Sequence, residues 1–340
     1  MDRKAYILAR INPSIHYGLE IGALDRPVIP HETEHVEYAD HLPTDLLREK
    51  YASDPNVDIN KIVPISYVWG ESTLPEIVGD KRFDYVIASH VIEHVPDPVG
   101  WFREIADVLK PGGLLFLAVP DKRWTFDCRR EITPVSALLE AYLEGYRRPT
   151  VRHLIDCFGE FASVPDKLSV SDLWQGKVSF GQIPLANPSF FESFGEDGLR
   201  ARFNELKDGT YIDAHCNVFT PFSFVNIVAV LAKLNLLNYR VADFQDTPIN
   251  DIEFFVTLEK LPDSYTNLER TTEILNSLPS ISAHLLDGEV NALRSKKIWE
   301  TMESEKITQL ESEINTLLNS TSWKITAPLR ALKVWILGRQ

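Results

Sequence analysis

Cysteine is scarce in this 340-residue chain: Cys128, Cys157 and Cys216 are scattered, and no CxxC pair occurs. An odd, sparse set argues for reduced thiols in a cytosol and against a zinc site. Basic charge is also short. The formal net charge is −14, which argues against a general nucleic-acid binder. No run approaches the roughly 18 apolar residues of a membrane span. The N-terminus lacks the apolar core of a signal peptide, so a cytoplasmic protein is expected. What remains, 44% hydrophobic and 25% charged residues, suits a soluble globular chain with a large core and an appendage.

The chain is organised around Phe83 to Asp127, FDYVIASHVIEHVPDPVGWFREIADVLKPGGLLFLAVPDKRWTFD. Phe83–Ala88 predicts a buried parallel strand. Ser89, His90, Glu93, His94 and Asp97 follow. Asp97-Pro98 caps a helix carrying Trp101, Phe102, Ile105, Val108 and Leu109 on one face, and Lys110-Pro111-Gly112-Gly113 stops it. Leu114–Val119 is a second buried strand, ending in Asp121, Lys122 and Arg123. Ligands of open parallel sheets bind beyond the carboxyl ends of strands, where both polar clusters fall.

Upstream, strands are predicted at Tyr17–Ile21, Val36–Tyr38 and Ile62–Ile65. A Thr-capped helix is expected at Thr44–Tyr51, and a short one near Thr73–Val78. The alternation argues a doubly wound α/β sheet, mostly parallel and, on the family resemblance below, seven-stranded. Residues 1–127 form its first half. Residues 128–215 interrupt it with a helical and loop insertion, either a substrate cover or a packing subdomain. Residues 216–261 return a helix, opened by Thr220-Pro221, and two strands, Asn238–Phe244 and Ile252–Leu258. Residues 262–320 read as helical and charged. Ile307, Leu310, Ile314 and Leu317 fit either a short coiled coil, allowing a homo-oligomer through 285–320, or an ordinary amphipathic helix.

GLEIG, FDYVIASHVIEHVPDP and LKPGGLLFLAVPD together resemble a class I S-adenosylmethionine (SAM)-dependent methyltransferase of the methyltransferase type 11 kind. The likeness covers about residues 15–125 and resumes at 215–260. It implies a Rossmann-like seven-stranded sheet with SAM as cofactor across the ends of the first four strands. By this resemblance Glu20, Gly22 and Ala23 form the first-motif loop and Asp40 binds the ribose. Tyr67, Val68 and Trp69 with Ser66 rim the adenine. Ser89 and His90 face the methionine amine and methyl. The sequence departs from the pattern where Gly22 is followed by ALDRP, a loop without repeated glycine that opens no helix. Arg26 is the alternative clamp for the methionine carboxylate.

A hydroxyl acceptor must lose a proton, and His94, His90, Asp121 and Asp127 are the candidate bases. His94 is also read as a helix-entry packing residue. Lys122, Arg123 and Arg129 are candidates to hold a phosphate or carboxylate on the acceptor, or form a solvated loop. His153 and His215 match no motif. No metal cluster stands out, so metal-independent transfer is expected.

The tail, 321–340, has four basic residues, no acid, and Trp323 and Trp335. Its SWKITAPLR resembles a tail of bacterial enzymes that build surface polysaccharide, glycosyltransferases among them. A basic amphipathic helix suits peripheral contact with an anionic membrane, at the inner face of the plasma membrane, or docking on a glycosyltransferase partner or the protein's own core. The combined expectation is O-methylation of a sugar in surface-glycan biosynthesis. The alternatives are a small-molecule methyltransferase and a non-catalytic scaffold.

Overall fold

In the computed structural model, the structure describes residues 3–33, 35–164, 167–178 and 182–279. The expectations for 285–320 and 321–340 lie outside the described residues. The first half runs α1 (Arg3–Leu8), β1 (Gly18–Ile21), β2 (Val36–Asp40), α2 (Thr44–Lys50), β3 (Tyr67–Val68), α3 (Leu74–Val78), β4 (Phe83–Ser89), α4 (Pro98–Val108) and β5 (Leu109–Pro120). The insertion contributes α5 (Val135–Glu144), α6 (Val151–Gly159), α7 (Val170–Trp174) and α8 (Phe190–Lys207), the last kinked at Gly195. Then come α9 (Pro221–Lys233), β6 (Tyr239–Gln245), β7 (Glu253–Lys260) and α10 (Asn267–Ser277).

The strands form one seven-stranded sheet in the order β3-β2-β1-β4-β5-β7-β6. β1 to β5 are parallel, and β7 runs antiparallel between β5 and β6. This is the doubly wound, mostly parallel sheet that the alternation of strands and helices predicts. Both faces are covered, so the central strands read as continuous apolar runs rather than alternating ones. On one face, α4 and α9 bury Trp101, Phe102, Ile105, Phe224 and Val228 against β4 and β5. On the other, Tyr6, Ile7 and Ile11 pack on Tyr85, Ile87, Phe116 and Phe255. Each such large side chain contributes roughly 1.5–3 kcal/mol of burial.

Three local expectations are corrected. Ile62–Ile65 is not a strand. The third strand is only Tyr67–Val68, because residues 59–61 form a 3₁₀ turn and Val63 instead donates its N–H to the Leu24 carbonyl. Thr44 does not cap α2: Pro43 stands there, and the Thr44 hydroxyl accepts from the Ile65 N–H. The Lys110–Gly113 turn does not separate helix from strand. It bulges out within β5, between the pairs Phe83–Leu109 and Tyr85–Leu114. The caps Asp97 and Thr220 fall where predicted. Asp97 Oδ1 accepts from Gly100 N, and Thr220 Oγ1 accepts from Ser223 N.

Candidate functional site

Beyond the carboxyl ends of β2, β3 and β4 lies a cleft of about 410 Å³. Its walls include His41, Trp69, Val91, His94, Trp101, Tyr146, Arg147 and Tyr211. Of the sequence candidates, Trp69 and His94 line it. The Trp69 ring lies 6.1 Å from that of Trp101. The indole Nε1 atoms of both are buried without a hydrogen-bond partner among the described residues.

β1 delivers Glu20 and the loop that follows it. Gly22 has φ +70, and a Cβ there would meet Val91 Cγ2 at 2.9 Å, so only glycine fits. Glu20 does not face the cleft. Its two carboxylate oxygens accept from Val28 N (2.7 Å) and Ile29 N (3.1 Å), tying the 22–29 loop back onto the sheet. Burial pushes its pKa up to about 7, against the pull of those two backbone donors. Ala23 is buried against Tyr38 and Val63. Arg26 is exposed and donates to the Asn56 carbonyl, so it clamps nothing at the cleft. At the end of β2, Asp40 is nearly buried. Its Oδ1 accepts from His41 N and Nδ1, at 2.7 and 2.6 Å, and its Oδ2 makes no hydrogen bond among the described residues. Tyr67 points to the sheet edge, donating its hydroxyl to Glu37, and Val68 is exposed.

The turn after β4 is the most constrained part. Ser89 Oγ is buried without a partner among the described residues. His90 sits at φ +53, a left-handed conformation unusual for a side-chain-bearing residue. Its Nε2 is held 2.6 Å from Glu253, which also pairs with Arg3. His90 is therefore committed to a structural hydrogen bond with Glu253 and is not free to serve an acceptor. Residues Ile92–His94 form a 3₁₀ turn. Asn217 locks onto it, its backbone N–H donating to Glu93 O at 3.0 Å and its side-chain amide to Val95 O at 2.7 Å.

That lock carries the 213–217 segment to the turn. His94 Nδ1 donates to Asp213 Oδ1 at 2.8 Å, and His215 Nδ1 to Asp127 Oδ2 at 2.5 Å. The two imidazoles meet edge to face with centroids 4.6 Å apart. Burial works to lower the His94 pKa, but the Asp213 hydrogen bond and the Glu93 charge outweigh it and raise it. Burial likewise works to raise the Asp127 carboxyl, and His215 and Arg130 hold it below the ordinary range.

The remaining candidates are drawn inward. Asp127 is buried between His215 and Arg130 (2.7 Å), which removes it as a base for an acceptor. Asp121 is fully buried, gripped by Arg123 at 2.6 Å and by the Thr247 hydroxyl at 2.8 Å, so neither Asp121 nor Arg123 is poised at the cleft. Arg129 bonds Glu160 and the Ile183 carbonyl, and Lys122 bonds the Cys128 carbonyl. Their polarity at a strand end reflects the joint to the insertion. Sequence reasoning missed Asp213 and His215. The available signal was the D-x-H pair just before a Thr-Pro helix cap, since residues two apart on an extended segment share a face.

The sequence profile of the methyltransferase domain family matches residues 36–229, more than half of the chain. A ubiquinone biosynthesis O-methyltransferase of Bradyrhizobium sp. is 40% identical over 53 residues, covering 16% of this chain and 21% of that protein. The one from Caulobacter vibrioides is 50% identical over 40 residues, 12% of this chain and 16% of that protein. The chain thus spans about a fifth of the length of the curated relatives it matches. Among solved structures, a SAM-dependent methyltransferase from Methanosarcina mazei aligns over 77% of this chain and all of its own, with 15% identity and a TM-score of 0.36. A glycopeptide N-methyltransferase complexed with SAM aligns over 35% of this chain and 49% of its own, with 17% identity and a TM-score of 0.25.

Proposed function

We propose that this chain, which belongs to the methyltransferase-domain family, is a SAM-dependent methyltransferase that transfers the methyl group to a hydroxyl oxygen held against His94. SAM brings a methyl group on a sulfonium, whose leaving group is already activated. The protein's part is alignment, exclusion of water and handling of the acceptor's proton.

The residues of the cleft and of the strand end beside it suit such a donor. Trp69 and Trp101 offer aromatic faces to a base, and their unpartnered Nε1 donors lack an acceptor among the described residues. Asp40, with Oδ2 free of protein hydrogen bonds among the described residues, ends the strand at which doubly wound sheets hold ribose hydroxyls.

One observation carries the acceptor side: the His94–Asp213 pair in the cleft wall. With Nδ1 committed to the carboxylate, Nε2 is the nitrogen left for chemistry. Among acceptors, our reading is a sugar hydroxyl of a bacterial surface glycan, supported by the SWKITAPLR resemblance at the tail. A second reading, a small aromatic alcohol, is supported by the lining of Trp69, Trp101, Tyr146 and Tyr211 and by the named function of the partial relatives.

The test is a labelled-methyl assay on the full chain with nucleotide sugars, lipid-linked glycans and catechols. Label recovered in a sugar methyl ether supports the first reading, and label on a phenolic oxygen supports the second. Failure to bind SAM in calorimetry sinks both and returns the fold to a scaffold role.

A further inference from the structure

We propose that Glu93, His94 and His215 form a binding site for one divalent transition-metal cation beside the cleft, with a Glu93 carboxylate oxygen and the two imidazole Nε2 atoms as ligands. The inference rests on the reading that an acceptor hydroxyl is activated at His94, and it says how.

Potential donor atoms of the three residues lie within 4.8 Å of one another. Glu93 is only 2% exposed, and neither of its carboxylate oxygens has a hydrogen bond among the described residues. His90 Nδ1 stands 3.8 Å from Oε1, beyond hydrogen-bond reach, and the other nitrogen of that ring is taken by Glu253. Burying an ionised carboxylate without a partner is costly, and such groups persist when they are paired or bind a metal. A purely structural hydrogen-bond network leaves Glu93 unexplained.

The histidines are prepared in the way metal ligands are. Each gives its Nδ1 to a carboxylate, Asp213 or Asp127, which fixes the ring and leaves Nε2 as the nitrogen not committed to a carboxylate. Asp127 is anchored in turn by Arg130. The scaffold is stiff as well: Glu93 and His94 sit in a 3₁₀ turn, and Asn217 clamps that turn to the strand-like segment carrying His215.

Two imidazoles and one carboxylate suit Zn²⁺, Fe²⁺, Mn²⁺ or Co²⁺ better than Mg²⁺ or Ca²⁺, which favour oxygen ligands throughout. Three protein ligands leave coordination positions open. His94 borders the cleft, so an acceptor hydroxyl oxygen can fill one. A cation there lowers the pKa of the bound hydroxyl. Its proton passes to water and the oxygen stays on the metal as the nucleophile. On this proposal His94 is a ligand rather than the base, in contrast to the metal-independent transfer expected from the sequence.

The test uses the full chain without a polyhistidine tag, stripped with chelator and titrated with Co²⁺, whose visible spectrum reports nitrogen and oxygen ligation. One equivalent is expected to bind and to be displaced by Zn²⁺. Glu93→Gln and His215→Asn should each weaken binding roughly tenfold or more, and Asp127→Asn by about 10-fold to 100-fold through loss of the ring's support. SAM titrations of the same variants monitor the fold. Absence of stoichiometric Co²⁺ binding, or unchanged affinity in Glu93→Gln and His215→Asn, overturns the site while leaving the methyltransferase reading intact. Loss of SAM binding in the wild type would instead strike that reading.

Discussion

Two glutamates at neighbouring strand ends are equally buried, Glu20 and Glu93 at 2% exposure each, and they are treated in opposite ways. Glu20 closes on its own loop, with both oxygens satisfied by backbone N–H groups. Glu93, after β4, has neither oxygen satisfied among the described residues and lies beside two carboxylate-backed imidazoles. The first is a structural acid held by its own loop, although burial still pushes its pKa up to about 7. The second keeps two buried oxygens without a hydrogen bond among the described residues, an arrangement that calls for an explanation. Burial alone therefore says little about an acid's role. What its oxygens touch says more.

Breaking the Glu93 side should cost chemistry rather than stability. His94→Ala is expected to lower kcat/KM by roughly 10²–10⁴-fold while SAM affinity in calorimetry stays near wild type. A loss confined to SAM affinity would move His94 to the cofactor.

Breaking the Glu20 side should cost stability in a pH-dependent way. The folded-state pKa of about 7 lies above the ordinary glutamate value of 4.5, so the folded chain holds a proton that the unfolded chain releases. Stability from this group is complete below the unfolded value and is lost as pH rises toward 7. At about 1.36 kcal/mol per unit, the loss is roughly 3 kcal/mol. Urea unfolding of Glu20→Gln between pH 5 and 8 should show a flatter profile than wild type. Parallel profiles would mean that Glu20 ionises normally.

Smaller effects sharpen the same contrast. Asp40→Ala should weaken SAM binding by about 10-fold to 100-fold, the worth of hydrogen bonds to a charged group, with little change in unfolding. Gly22→Ala should destabilise by about 1–2 kcal/mol, because a side chain at φ +70 is strained and its Cβ meets Val91. The exposed Glu196–Arg200 pair on α8 is the control: Arg200→Ala should change stability by under about 0.5 kcal/mol.

Much of the fold was readable along the chain. The apolar run Phe83–Ala88 had to be a buried strand, and Asp97-Pro98 and Thr220-Pro221 had to open helices, because these are local consequences of periodicity, caps and turn chemistry. The third strand was misread at Ile62–Ile65. A four-residue apolar stretch does not declare whether it pairs, and here packing around Ala23 and Tyr38 absorbs Val63 instead. The candidate site was readable only in part. His94 and Trp69 were found at a strand end and line the cleft. Asp121, Asp127, Arg123 and Arg129 had the right chemistry in the right neighbourhood, but their charges neutralise one another or other internal partners.

The sequence by itself determined the α/β alternation, the edge of the sheet where a ligand sits, and the methyltransferase motifs, because each is written in contiguous residues. Tertiary structure decided which polar groups are free. Asp213 and His215 lie more than a hundred residues from the turn that they complete, and Asn217 brings them there through two hydrogen bonds. Whether a buried acid is satisfied, like Glu20, or left without a hydrogen bond among the described residues, like Glu93, depends on donors that only folding places within hydrogen-bond reach.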